Sequence, residues 1–192
     1  ERAKRIIEQC EKHRISLLPM ENPLYPKRAR NCNDAPIILY YKGMIQRMDK
    51  TVGIVGARRC TQETKRAVAE LAVAYTEKQT AVISGMAKGV DSYAHTACLK
   101  AKGYTVAVLA NGLDICYPSE HEKLKECIEN KGLVISEYPP GIRPTKYTFP
   151  KRNRLISAWS DELIVVAAGK KSGALITADY SKKYGRKIIF CG

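Results

Sequence analysis

From Thr51 onward, short runs of apolar and β-branched residues recur along the chain, each followed by a segment of helix length. The runs are Val52–Val55, Ala81–Ser84, Thr105–Leu109, Leu133–Ser136, Leu163–Ala167 and Lys187–Phe190. Most are apolar at every position instead of alternating, the pattern of parallel strands covered by helices on both faces. Between them the chain predicts helices over Thr61–Glu77, Val90–Lys102, Ser119–Asn130 and Ala174–Tyr184, and a basic helix starting near Lys151. Thr61 with Thr64 supplies a helix start, and Gly103 and Gly185 suit helix ends. Strand–helix alternation with short connections predicts an α/β fold: a doubly wound, mostly parallel sheet. Upstream, Pro36–Tyr41 predicts a further strand at the sheet edge, and residues 1–16 a helix with Ile6, Ile7 and Cys10 on one face. The expected division is a short N-terminal helical appendage, residues 1–22, followed by one domain over residues 23–192.

Charge narrows the class of partner. The 192 residues carry 33 Lys and Arg against 19 Asp and Glu, a net charge of +14. That surplus favours a polyanion, either nucleic acid or an acidic membrane surface. No apolar run approaches the ~20 residues of a membrane span, and no basic amphipathic helix backed by Trp or Phe stands out. The seven cysteines include no C-x-x-C pair, and several fall within apolar runs, so reduced, mostly buried thiols in a cytoplasmic protein are expected. No metal set is apparent, and no secretory signal is visible.

In a sheet of this kind ligands bind beyond the carboxyl ends of the strands. The loops there read Gly56-Ala57-Arg58-Arg59, then Ser84-Gly85-Met86-Ala87-Lys88-Gly89, then Asn111-Gly112-Leu113-Asp114, then residues 138–154, then Gly169-Lys170-Lys171-Ser172-Gly173. All contain glycine and four carry Lys or Arg. Glycines let backbone amides turn toward an anion, and helix N-termini and basic side chains add positive charge. The fourth loop is the most cationic, because the window from Tyr138 to Ser160 holds no Asp or Glu. Within it, Phe149-Pro150-Lys151-Arg152-Asn153-Arg154 sets an aromatic ring beside three cations, and such a ring can stack on an unpaired base while guanidinium groups hold phosphates. Taken alone, a run of this kind reads as a solvated basic loop; its place at the strand ends argues for an anion site. No dinucleotide fingerprint is present, since Arg58 stands where close pyrophosphate approach needs glycine, and no G-x-x-x-x-G-K-[ST] loop occurs.

These residues resemble the DprA/Smf family of bacterial DNA-processing proteins. The matching blocks, in family order over about residues 23–192, are Tyr25-Pro26, Pro36–Gly43, Val55–Arg58, Ser84–Asp91 with Ala94-His95, Gly112–Asp114 with Tyr117-Pro118, Ser136-Glu137, Phe149–Arg154, Ser172–Ala178 and Gly185-Arg186. The resemblance implies an extended Rossmann-like, non-catalytic protein without cofactor. It would bind single-stranded DNA irrespective of sequence, protect it during natural transformation and help load a RecA-type recombinase, usually as a homodimer. Carried over by motif, Arg58 would hold phosphate, Lys88 would add charge, and Lys146 and Phe149 would line the strand's path. Arg152 and Arg154 would bind DNA or instead anchor the loop to the sheet. Gly56, Ser84, Gly85, Gly89, Ser172 and Gly173 would form the anion loops. The chain departs from the family pattern at Ala57, where Ser is frequent, at Ala167, where an acid is common, and at Cys191, where Pro is usual. The family's sheet domain also continues past Gly192.

Other chemistry-bearing residues read as structural. Asp91 and His95 have helical i, i+4 spacing, but no further ligand completes a metal set, so capping and loop bracing are expected. Asp114 reads as a turn residue and Glu137 as a partner for an arginine. Tyr138 and Tyr147 would extend a stacking surface, and Trp159 would enter the core or an interface. The alternative function is a nucleotide sensor, or an enzyme resembling nucleoside-monophosphate phosphoribohydrolases. Those enzymes carry P-G-G-x-G-T followed by a catalytic Glu, where this chain has Gly169-Lys170-Lys171-Ser172-Gly173 with Ala167 nearby.

Overall fold

The computed structural model describes residues 1–169 and 172–192; Lys170 and Lys171 of the fifth loop lie outside the described residues. In chain order the elements are α1 (Arg2–Lys12), β1 (Ser16–Pro19), α2 (Lys27–Arg30), β2 (Ile38–Gly43), β3 (Thr51–Gly56), α3 (Gln62–Glu77), β4 (Ala81–Ser84), α4 (Val90–Lys100), β5 (Thr105–Leu109), α5 (Glu122–Lys131), β6 (Leu133–Ser136), α6 (Thr148–Trp159), β7 (Glu162–Val166), α7 (Gly173–Lys183) and β8 (Lys187–Cys191). A short 3-10 turn, Ser119–His121, leads into α5. The strands form one sheet in the order β1-β2-β6-β5-β4-β3-β7-β8. The segment from β3 to β8 is parallel, whereas β2 runs antiparallel to both β6 and β1.

Strands β3 to β7 are buried on both faces because both faces are covered. One face packs against α6 and α7 through Val55, Ile83, Val106, Val108, Leu163, Val165 and the fully buried Trp159. The other packs against α3 and α4 through Val52, Ile54, Val82 and Ile164, and against α1 and α5 through Ala107, Leu109 and Val134. The helix after β3 and the helix after β7 thus lie on opposite faces, although the two strands are neighbours. A crevice opens beyond the carboxyl ends of such a pair, where connections leave in opposite directions.

The N-terminal division at residue 22 is corrected by this arrangement. Residues 16–19 are an edge strand paired with β2, Ser16 opposite Tyr41 and Pro19 opposite Ile38. Cys10 and Ile15 are buried with Met86, Leu113 and Ile128, so α1 docks on the domain and the sheet begins before residue 23. Ile6 faces that cluster, but Ile7 is half exposed and is not on the packed face. A strand of four residues ending in proline offers little periodicity to read, and Pro19 is tolerated because β1 is an edge. The cysteines are free, three of them buried and Cys127 exposed, so burial is less general than expected. Burial pushes the Cys10, Cys32, Cys60, Cys98 and Cys116 thiols up, which lowers their reactivity.

Candidate nucleic-acid interface

The crevice between β3 and β7 is a groove of about 640 Å³. Arg58, Ala87, Lys146, Phe149, Ser172 and Gly173 all border it, so the four glycine-basic loops meet at one rim. Close backbone packing explains two of the glycines. A Cβ on Gly56 would lie 2.0 Å from the Val166 carbonyl oxygen, and one on Gly89 would lie 2.2 Å from the Ala57 carbonyl oxygen. Gly89 also sits at φ +82, where an L side chain is strained. This tight stacking turns the chain outward at Ala57, leaving Arg58 exposed and without an ion pair among the described residues. Its guanidinium rests 5.8 Å from the Phe149 ring centroid.

Phe149 does not lie in a loop. It belongs to the first turn of α6, three residues before Arg152. Pro150 fits that first turn, where backbone N–H groups have no intrahelical partner. The turn is fixed by Thr145 and Thr148: the Thr145 amide donates to the Thr148 hydroxyl at 2.8 Å, and the Thr145 hydroxyl accepts from the amides of Tyr147 and Thr148. Spacing of i, i+3 puts Phe149 and Arg152 on one helix face, and the two side chains have opposite fates. Phe149 is half-buried and borders the groove. Arg152 is only 5% exposed, and its Nη1 donates to the carbonyls of Gly85 and Val108, at the ends of β4 and β5.

Arg152 therefore braces the helix to the sheet, the second of the two roles the motif left open. Burial pulls its guanidinium below the ordinary value, with Asp91 opposing, and an arginine starting so high keeps its charge. Arg154 is also engaged, paired to the Glu137 carboxylate and donating to the Asp34 carbonyl at 2.8 Å. Asn153, between them, donates to the Gly173 carbonyl at 3.0 Å and ties α6 to the start of α7. The FPKRNR segment thus presents its phenylalanine and uses its arginines and asparagine as anchors. A helix begun at Thr148 would have separated these roles in the sequence.

Several expected anion donors are likewise engaged inside the protein. The Ser84 hydroxyl is buried and donates to the Ile54 carbonyl at 2.6 Å. The Gly85 amide donates to the Asp91 carboxylate at 3.1 Å, and the Ala87 amide reaches the same oxygen. Gly85 packs tightly here: a Cβ would meet the Arg152 guanidinium at 2.5 Å and the Asp91 carboxylate at 2.7 Å, so a larger residue would displace both side chains. Burial pushes the Asp91 carboxyl up, opposed by Arg152 and by these amides. Ser172 caps α7 by accepting from the Ala174 amide at 3.2 Å. Of the anion loops, exposed Gly173 at the α7 N-terminus faces the groove with open space around its Cα. Lys88 lies outside the large groove, half exposed and paired to Glu120. Lys146 is exposed beside Tyr147, its ammonium 5.1 Å from that ring, and Tyr147 is itself 70% exposed.

Asp91 and His95 take the bracing roles expected of them. His95 Nδ1 bonds the Thr105 hydroxyl at 2.7 Å. Burial, with the charges of Arg152 and His121, pulls its pKa down to about 3. Because that lies below an unfolded value of ~6.5, the neutral ring stabilises the fold above that pH, and its contribution is lost as pH falls toward 3. Denaturant titrations from pH 7 to pH 4 should show stability falling on acidification, with His95 adding up to about 1.4 kcal/mol per pH unit. A His95→Gln variant should give a shallower slope; an unchanged slope would refute the assignment.

Asp114 closes the rim by accepting from the Gly141 amide at 2.9 and 3.0 Å, as its turn role requires. Tyr138 is half-buried, which leaves Tyr147 as the freer of the two rings. Tyr117, noted in the sequence only within a family block, is 45% exposed and lies 5.7 Å from Phe149 between ring centroids. Among the described residues no helix is long and apolar enough to cross a membrane, and no cluster of metal-ligating side chains occurs.

Comparison with known proteins places this geometry. The DNA recombination-mediator protein A family matches residues 16–191. DNA processing protein DprA of Streptococcus pneumoniae is 39% identical over 166 residues, covering 86% of this chain and 58% of its own length. Its solved structure superposes with a TM-score of 0.86 at 34% identity, over 96% of this chain and 66% of that one. DNA processing protein A of Helicobacter pylori, whose structure concerns a single-stranded DNA binding mode, gives a TM-score of 0.83 at 33% identity, over 92% and 80%. The chain spans about half the length of the curated relatives it matches, for example 47% of Protein Smf of Synechocystis. The matched span begins at the first residue of β1, in agreement with the corrected N-terminal boundary. By motif order, by similarity across nearly its whole length and by fold, the chain belongs to the DprA/Smf family, the DNA recombination-mediator protein A family.

Proposed function

We propose that the groove beyond β3 and β7 binds single-stranded DNA irrespective of sequence. The observation that carries this reading is the meeting of exposed Arg58, exposed Lys146, half-buried Phe149 and the α7 N-terminus at one rim. Cations and helix N–H groups suit phosphates, and a ring edged by guanidinium suits an unpaired base, whose face a duplex hides. The Helicobacter pylori relative supports the ligand class.

The family's description as a recombination mediator supports a wider reading. In it, the protein protects single strands during DNA processing and natural transformation, hands them to a RecA-type recombinase and acts as a homodimer. No step in this role breaks a bond, and the carboxylate that borders the groove, Asp91, holds the backbone amides of Gly85 and Ala87.

Titration of fluorescent oligo-dT and an equal-length duplex, each at several salt concentrations, tests the ligand. With three to four phosphates neutralised, log K should fall against log salt with a slope of roughly −2 to −3, and the single strand should bind more tightly. A preference for duplex, or affinity indifferent to salt, would overturn the proposal.

A further inference from the structure

Across Phe149 from the groove lies a second pocket of about 60 Å³. Arg58, Ala87, Phe149 and Arg152 border both cavities, whereas Tyr117, Pro118, Asn111, Leu109 and Lys88 border the smaller one alone. Phe149 is thus a partition with space on each side. The smaller pocket has a flat aromatic lip, since the Tyr117 ring is inclined 53° to Phe149 and half exposed. Its buried lining is apolar apart from Arg152 and Asn111. The Asn111 side-chain nitrogen donates to the carbonyls of Gly112 and Ile115, both at 2.9 Å. With both N–H groups engaged, this amide can offer only its oxygen, an acceptor for an N–H on a base edge. At the mouth, Lys88 is paired with Glu120 in the open, and an exposed pair of this kind gives way readily to a phosphate.

Size restricts the occupant. At ~10–15 Å³ for each water-sized group, the pocket admits roughly four to six heavy atoms. That is one edge of a base, and too little for a whole one.

We infer that this pocket is a second base subsite. A strand bound in the groove passes over Phe149, and the neighbouring base lays one edge into the pocket against Tyr117, with Lys88 leaving Glu120 for the phosphate between. This inference rests on the single-strand reading above and adds a bend in the strand and a contribution from Tyr117 to it.

The test compares oligo-dT with an abasic oligomer of the same length, which keeps the phosphates and lacks the bases. Both are titrated against the wild-type chain, Tyr117→Ala, Tyr117→Phe and Phe149→Ala. Stacking is worth about fivefold or more in affinity per base. Tyr117→Ala should therefore lose about fivefold or more on oligo-dT, keep wild-type affinity for the abasic strand, and be rescued by Tyr117→Phe. Wild-type affinity of Tyr117→Ala for oligo-dT, or equal losses on both ligands, would overturn the subsite. If Phe149→Ala is weak while Tyr117→Ala is unchanged, the subsite alone fails. If the wild-type chain does not bind oligo-dT, or Phe149→Ala binds as well as wild type, the underlying reading fails with it.

Discussion

Replacing Arg152 by alanine is expected to lower folding stability by about 3–5 kcal/mol, the scale of removing a buried charge whose surroundings are arranged around it. Against a total of roughly 5–15 kcal/mol for a typical domain, that is a large fraction. The side chain is nearly inaccessible, and one guanidinium nitrogen serves the carbonyls of Gly85 and Val108 while Nε donates to Asn153. Removing it strips two strand-end carbonyls of a donor, deprives Asp91 of the opposing charge and opens a void beneath α6. Lysine should not rescue the variant, because an ammonium cannot reproduce the fork that reaches several acceptors at once. Denaturant unfolding measures the effect. Arg58→Ala is the control, since an exposed cation without an ion pair should change stability by less than about 0.5 kcal/mol. A loss below about 1 kcal/mol for Arg152→Ala would mean that its carbonyl contacts are dispensable and that its place in the DNA-binding surface must be reconsidered.

Phe149 carries the second large effect, on binding. Its replacement by alanine should weaken oligo-dT affinity by about 1–3 kcal/mol, the usual cost of losing one stacked base. Phe149→Leu separates stacking from packing, because leucine refills much of the volume against Tyr117 but has no π face. It should show most of the binding loss with little change in stability. Arg58→Ala should weaken all sequences alike, since a phosphate contact reads no base. As the Arg58 guanidinium lies 5.8 Å from the ring, the two losses should not add; removing the ring also frees the guanidinium to reposition. Anisotropy titrations of the two single variants and the double variant measure this coupling. Simple additivity would place Arg58 and Phe149 at separate parts of the strand.

The sheet was legible because its strands are apolar on both faces. Ala81–Ser84, Thr105–Leu109 and Leu133–Ser136 run to the expected residues, since a continuous apolar run between glycine or polar turns has few other ways to be buried. The edge was less legible, because β1 is short, half-exposed and closed by Pro19. The site divides along similar lines. Arg58, Lys146 and Phe149 fall where strand-end loops were expected to converge. Arg152 and Ser84 spend polar atoms inside the protein, on carbonyls 44, 67 and 30 residues distant in sequence. No local pattern reveals such contacts, and a guanidinium within a basic run looks the same whether it faces phosphate or the sheet. Pro150 also hid the start of α6, which would have placed Phe149 and Arg152 on one face. Asp91, Asp114, His95 and Glu137 make the bracing contacts expected of residues that lie beside a turn or an arginine.

The most direct test of the groove is photo-cross-linking of an oligo-dT carrying 5-iodouracil, followed by identification of the modified peptides by mass spectrometry. The iodouracil radical couples preferentially to aromatic rings it stacks against. The structure predicts adducts on Phe149, with Tyr147 and Tyr117 flanking it, and their loss at high salt. Adducts confined to aromatic residues at the opposite end of the sheet, such as Tyr104, would contradict the placement of single-stranded DNA between β3 and β7.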